Sequence, residues 1–541
     1  MRSSFSIWLP NGSLNNTKLW DKLSIKYPKY NRESIVDNTY KNPKWVHFGP
    51  GNIFRAFIAS LQQDLLNKNL VDYGIIAISP NNSDIVEKIY RPHDNLSLSI
   101  TMNPDQSITK EIIASVTESL TCAPNKSSDW NRIEEIFTAN SLELVSLTIT
   151  EKAYNLFDNN SKLLSTIEKE LSFGLNKEKY TIFIIKLAYL LHKRFIKTNN
   201  GLTLLSLDNC SQNGIILKNS ILSIAKYWVK NNIVSDKFIN YLTNKISYPC
   251  SMIDKITPHP SEKILSYLEK DGFSDMNFVT SSRGSQYAPF TNAEKTQYLV
   301  IEDSFSKGRP PLEKAGVIFT TKEIVDKVEK MKVCTCLNPL HTALAIFGCL
   351  LGYTKISDEM NDPILKLLVE KISEESMPVV SDPGVLSPQA FISECINERF
   401  PNPAIPDTPQ RIACDTSQKI GIRFGETIKA YVKHATLEPK NLKYIPLVIA
   451  GWCRYLMGID DNGNKFEISP DPLMLYLKKF FENINLGEDF EKKLLFELLS
   501  NKKIFKSNLY DINIANKIEE DFYELTRCKG AVRSTLKKYL H

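Results

Sequence analysis

Lys332, Asn338 and His341 put an amine, an amide and an imidazole within ten residues, in the run Glu329-Lys330-Met331-Lys332-Val333-Cys334-Thr335-Cys336-Leu337-Asn338-Pro339-Leu340-His341. Delivered together, these groups can donate protons and hydrogen bonds to one carbonyl oxygen. No Asp or Cys/His ligand set accompanies them, so the chemistry they suggest is carbonyl/alcohol redox without a metal. Taken alone, the same residues also fit a helix N-terminus with an ordinary loop Lys and Asn before the apolar run Thr342 to Tyr353. The choice between the two rests on the elements that would position them.

From Lys44 the pattern reads α/β. Trp45 to Phe48 is a short apolar strand, Gly49-Pro50-Gly51 a tight turn, and Ile53 to Asn67 a helical run. Further strands are expected at Gly74 to Ile78, Leu144 to Thr150 and Leu202 to Leu207, with helices over Tyr180 to Lys197 and Ile215 to Lys230. Apolar strands alternating with helices imply a mainly parallel sheet covered on both faces. Past Pro310-Pro311 strands give way to helical runs: Lys322 to Lys330, Thr342 to Leu351, Pro363 to Ile372, Leu473 to Asn483 and Phe490 to Leu499. The expected organisation is a polar surface extension over 1–43, a Rossmann-type dinucleotide-binding domain over 44–315 and a mainly helical domain over 316–541.

A strand, then Gly-x-Gly, then a helix is how a dinucleotide-binding unit opens. The first Gly allows the turn, the second lets the backbone approach a pyrophosphate, and the helix N-terminus attracts its charge. The usual third Gly is replaced by Phe54. Arg55 is either a cation for that phosphate or a surface residue. After the second strand, Asp84 is the nearest carboxylate and no Arg is available for a 2′-phosphate, which favours NAD over NADP.

Composition sets outer bounds. The 541 residues exceed one compact core, and 42% hydrophobic with 24% charged residues is ordinary for a globular protein. The net charge of +6 has no long Lys/Arg block behind it, so nucleic acid is not an expected partner. No signal segment or continuous apolar run of membrane-spanning length stands out, and the ten cysteines are scattered. These features suggest a cytoplasmic protein with reduced thiols and no membrane partner.

Six blocks, in order, make the chain similar to the polyol-specific long-chain dehydrogenases, the mannitol dehydrogenase family. Val46 to Ala56 resembles that family's glycine turn, which also lacks the third Gly. Ser146 to Tyr154 resembles its SLTITEKGY block with Ala153 for Gly, and Ser206 to Gly214 its SCDNxxxNG block. Met252 to Pro258 resembles MVDRITP, Val300 to Asp303 with Gly308 to Pro311 resembles VIED…GRPP, and Arg411 to Lys419 resembles RIxxDxSQK. The resemblance covers roughly residues 44–425.

It implies an NAD(H) enzyme that reduces a keto-sugar acid without a metal, with D-fructuronate to D-mannonate as the foremost expectation. The mannitol/fructose pair and tagaturonate are the alternatives, and a non-catalytic sugar-binding relative is the rival from another class. A monomer or weak homo-oligomer is expected. The resemblance makes Lys332 the general acid/base, Asn338 and Asn209 hydrogen-bond donors to the reacting oxygen, and His341 a further substrate contact. It also makes Asp254, Arg411 and Lys419 substrate ligands, while Glu329, three residues before Lys332 and on its helical face, is a candidate proton relay by spacing. Cofactor contacts fall on Phe48, Gly49, Gly51, Asn52, Phe54 and Arg55, and on Thr150, Glu151 and Lys152. One departure stands out: five residues separate Lys332 from Asn338 where the family has four.

Overall fold

A computed structural model describes residues 14, 16–123, 126–158, 160–282, 284–488 and 494–541. The chain divides into two compact units. The first holds the described residues up to Val325 except 104–106; the second holds those three and the chain from Asp326 onward.

The first unit is built on six parallel strands: β1 (Trp45–Phe48), β2 (Ile75–Ser79), β3 (Val116–Thr121), β4 (Leu144–Leu147), β5 (Leu202–Ser206) and β6 (Ile246–Ser247). Their spatial order is β3-β2-β1-β4-β5-β6, the order of a Rossmann sheet. The apolar runs are continuous because both faces are covered. Val46, Phe48, Ile76, Ile78, Val145 and Leu147 pack into one core with α2 (Phe183–Lys197) and α3 (Asn213–Lys230). Trp45, Ile75, Ala77 and Leu144 face the opposite core, with Phe54, Phe57 and Ile58. The helix after the glycine turn widens into a π-helical stretch, Phe54–Ile58, before α1 (Ala59–Asn67).

A four-stranded mixed sheet, not foreseen from sequence, joins Ile25–Lys26, Ile108–Ile113, Ser97–Met102 and Phe290–Glu294 in that order. It corrects the reading of 1–43 as a surface extension. The helix Thr17–Lys22 buries Trp20, and Ile25 sits in the same core. The polar composition of this segment hides two apolar anchors. Residues 1–13 and 15 lie outside the described chain.

The second unit is helical, as its sequence pattern suggests. Expected runs appear as Pro363–Ser376 and Met474–Phe481. That over Phe490 to Leu499 appears as Phe496–Leu499, its beginning lying among residues 489–493, outside the described chain. The stretch that matters most is α4 (Lys322–Met331), a π-helical turn Lys332–Cys336, and α5 (Asn338–Leu350). Continuous from Lys322 to Leu350, it is long and apolar enough by composition to cross a membrane. Its most apolar window is 83% buried within the protein, which is how a core helix behaves.

The π turn explains the extra residue between Lys332 and Asn338. Leu337 N–H reaches back five residues to the Lys332 carbonyl, so one additional residue is taken up in a single wide turn. By His341 the bonding has returned to the α pattern, with its N–H on the Leu337 carbonyl. The Cys334 carbonyl inside the turn accepts from Thr427 Oγ1 at 3.2 Å. The segments before and after the turn thereby keep the facing they would have in a plain α-helix one residue shorter.

Deleting Val333, the one half-buried residue of this turn, should convert it to α-helix and leave a single cooperative thermal transition within a few degrees of the parent. Inserting an Ala after Val333 rotates everything from Asn338 by about 100° and should lower the midpoint far more. Equal midpoints for the two variants would show that the turn does not set this facing.

Candidate active site

In the first unit the site is a backbone turn held from below. Gly49 has φ +98°, and a Cβ there would lie 2.0 Å from the Thr148 carbonyl oxygen, so only glycine fits. A Cβ on Gly51 would meet no protein atom within 4 Å. The protein's own packing therefore does not require that glycine, whereas close approach of a pyrophosphate would.

A directional hydrogen-bond chain fixes the turn. Thr148 Oγ1 donates to the Gly49 carbonyl at 2.8 Å, which uses its one proton. His47 Nε2, 2.9 Å away, must then be the protonated nitrogen and donate to Thr148, leaving Nδ1 to accept from Ser146 Oγ at 2.7 Å. Ser146 in turn accepts from Trp45 Nε1 at 2.8 Å. His47 is fully buried and stacked on Phe54, ring centroids 4.1 Å apart. Burial pushes its imidazole down to about 3, so it is neutral at physiological pH.

A second anchor lies at the end of β4. Thr150 adopts φ +74° and ψ 149°, a strained conformation for a β-branched residue. The buried Asp208 carboxylate holds it there, accepting from the Thr150 N–H at 2.8 Å, the Ile149 N–H at 3.2 Å and the Tyr154 hydroxyl at 2.5 Å. Burial raises the Asp208 carboxyl, partly offset by these three donors. Thr150, Glu151 and Lys152 are exposed beside the glycine turn's supporting residue Thr148.

Three side chains expected at the cofactor turn inward instead. Phe48 packs against Phe137 and Phe183, and Phe54 stacks on His47. Arg55 is fully buried, donating to the Ala288 carbonyl at 2.7 Å and Asn52 Oδ1 at 2.9 Å. It is neither a surface residue nor exposed to a phosphate, and burial lowers its guanidinium from the usual value. What these positions offer outward is backbone. Asn209 is exposed just past β5, its side-chain amide unengaged among the described residues, and Asp254 is buried at the end of the strand Ser251–Asp254.

In the second unit Lys332 is the first residue of the π turn and is 4% exposed, whereas Lys330 is exposed and Glu329 half-buried. Asn338 is half-buried, with a side-chain amide that makes no hydrogen bond among the described residues. His341 Nε2 lies 2.9 Å from Asp407 Oδ2, and its ring packs on Phe400. Asp407 also takes the Arg411 guanidinium on its other oxygen. Burial works to raise the Asp407 carboxyl, but His341 and Arg411 outweigh it and hold it below the usual carboxylate range. Arg411, whose side chain is 64% exposed, is thus already paired, and Lys419 donates to the Cys414 carbonyl. Among the described residues no three His, Cys, Asp or Glu side chains form a group able to hold a metal.

Two family descriptions match the chain: the mannitol dehydrogenase Rossmann domain over residues 43–314 and the mannitol dehydrogenase C-terminal domain over 324–526. The chain belongs to the mannitol dehydrogenase family. It is therefore an oxidoreductase acting on a CH–OH group. Among its relatives, the D-mannonate oxidoreductase of Thermotoga maritima is 49% identical over 97% of this chain and 98% of its own length. The mannitol 2-dehydrogenase of Aspergillus fumigatus is 30% identical over 96% of each. In fold the chain is similar to a substrate-free D-sorbitol dehydrogenase, with a TM-score of 0.76, 23% identity and coverage of 95% and 97%. A Pseudomonas fluorescens mannitol 2-dehydrogenase in ternary complex with NAD and D-mannitol gives 0.70, 24%, 96% and 97%.

Within this family member, sequence reasoning missed His47, Asp208 and Asp407. His47 and Asp208 lie inside blocks already quoted, but which side chain holds which backbone is a tertiary matter. Asp407 stands four residues from an expected ligand, Arg411, and that one-turn spacing was the available signal.

Because His47 binds a proton more readily when unfolded, stability should fall as pH drops below about 6.5, by about 1.4 kcal/mol per pH unit towards its folded value. His47→Asn should be less stable than the parent at pH 7.5. In denaturant unfolding at pH 4.5 that gap should shrink. A gap that stays constant would mean His47 is not carried neutral in the fold.

Proposed function

We propose that this family member is an NAD(H)-dependent oxidoreductase that reduces D-fructuronate to D-mannonate. The observation that carries this reading is the full-length relationship, at 49% identity, to an enzyme named D-mannonate oxidoreductase. The mannitol 2-dehydrogenases stand lower, at about 30%. Tagaturonate and fructose are the alternative substrates, and a non-catalytic sugar-binding role is disfavoured by the two unengaged amides and the buried Lys332.

The cofactor is NAD, held on the Rossmann-type region 44–315. Gly49, Gly51 and the helix N-terminus behind them receive the pyrophosphate, and the open space around Gly51 suits that approach. Thr150, Glu151 and Lys152 present an exposed edge next to this turn. Bound there, the nicotinamide supplies the hydride for a ketone carbon. The acid/base chemistry belongs to the region 316–541. Lys332, shielded from bulk water, gives its proton to the ketone oxygen as that oxygen becomes an alkoxide. Glu329, one helical turn away, restores that proton from solvent. Asn338 offers its unengaged amide to the same developing charge, and Asn209 takes the second amide role. His341 is oriented by Asp407 to hold a substrate hydroxyl, with Asp254 as a further ligand. None of the ten cysteines is in a disulfide, which suits a reducing compartment such as the cytoplasm.

The full-length protein should oxidise NADH with D-fructuronate at a kcat/KM at least about a hundredfold above that for fructose. A larger value for fructose would turn the reading to mannitol 2-dehydrogenase. Lys332→Ala should lower kcat by about a hundredfold or more while NADH binding, followed by fluorescence, is kept. Lys330→Ala should stay within about twofold of the parent. An inactive Lys330→Ala beside an active Lys332→Ala would overturn the assignment of the acid.

A further inference from the structure

The cations of the second unit are unevenly neutralised. Arg411 is paired with Asp407, and Lys419 rests on a backbone carbonyl. Arg423 has no carboxylate partner among the described residues. Its one hydrogen bond there runs from Nη1 to Thr342 Oγ1, on α5 immediately after His341. Thr342 Oγ1 donates onward to the Asn338 carbonyl at 2.8 Å, so Arg423 is tied to the same helical turn that carries both Asn338 and His341.

Its direction is set by the helix beneath it. Lys419 and Arg423 are one turn apart on α6 (Thr416–Arg423) and share a face. Gly421 lies between them on the opposite face, where a Cβ would come within 2.0 Å of the Ile504 carbonyl oxygen. That contact fixes the back of α6 and aims both cations away from it. Asp471 caps the start of the helix, accepting from the Ser417 N–H at 2.8 Å. Burial alone pushes the Arg423 guanidinium down to about 10, still protonated at neutral pH. Burial also lowers Lys419, with Arg423 and Arg411 adding repulsion against the single opposing carboxylate, Asp415. Two adjoining, under-neutralised cations form a site for an anion.

We propose that Arg423, with Lys419 beside it, receives the substrate's carboxylate and so selects a sugar acid over a neutral ketose. This rests on the reading of the substrate as a keto-sugar acid. The carboxylate contact falls not on Arg411, which is already paired with Asp407, but on the guanidinium one turn beyond Lys419.

The test is initial-rate kinetics of full-length wild type, Arg423→Gln and Arg423→Lys with NADH against D-fructuronate, D-tagaturonate and D-fructose. Arg423→Gln should raise KM for whichever keto acid the wild type reduces by about ten- to a hundredfold. Its kcat should change far less, and kcat/KM for fructose should fall by a much smaller factor than that for the acid. Arg423→Lys, which keeps the charge but not the fork, should recover part of the loss and so guards against simple misfolding. Equal losses on acid and neutral substrates, or no change in KM, would overturn the proposal. Wild type reducing tagaturonate but not fructuronate, with the Arg423→Gln effect intact, would overturn the D-fructuronate reading alone. Wild type reducing fructose and neither acid would overturn both.

Discussion

The glycine turn after β1 cannot support itself, and the first unit depends on the buried hydrogen-bond chain beneath it. From Trp45 through Ser146, His47 and Thr148 to the Gly49 carbonyl, every donor has one acceptor and the direction is unique. Each bond contributes only about 0.5–1.5 kcal/mol net, but a buried partner left unmade costs more. A neutral imidazole can accept on one side and donate on the other, as a link in such a chain requires. Phe54 stacks on the same ring in place of the missing third glycine. The absent glycine and the buried histidine are thus one packing solution seen from two positions.

Strain and its restraint are paired nearby. Thr150 holds a backbone conformation that a β-branched residue avoids, and Asp208 keeps it there through two backbone N–H groups and the Tyr154 hydroxyl. The carboxylate is itself costly to bury, and its donors offset that cost. Two such devices, the histidine chain and the aspartate clamp, stand at the carboxyl ends of adjacent parallel strands, where open α/β sheets present ligands.

In the helical unit the organising device is the single π turn. It absorbs the extra residue without turning Asn338 and His341 away from the facing that a shorter helix would give them, and it starts at the buried Lys332. Around it the charges are graded. Asp407 faces His341 and pairs with Arg411, while among the described residues Arg423 has a hydroxyl alone. An inventory of cations would treat Arg411, Lys419 and Arg423 alike; their partners make them different.

Much of this was legible in the residues. Continuous apolar strands alternating with helices gave a parallel sheet because burial on both faces leaves no room for polar alternation. The Gly-x-Gly turn and the Lys, Asn and His of the second unit are local in sequence, so their spacing could be read directly. Tertiary structure decided the rest. Trp20 and Ile25 pull a polar N-terminal segment into a core, because two apolar anchors weigh more than the average of forty residues. Arg55 turns inward because Asn52 and the distant Ala288 carbonyl satisfy its donors there. The spacing showed that one residue was added after Lys332; only helix hydrogen bonding and the Thr427 hydroxyl determined that it is looped out as a π turn. Residue type and spacing fix which groups are present, whereas which of them is neutralised, strained or free depends on partners brought together from far along the chain.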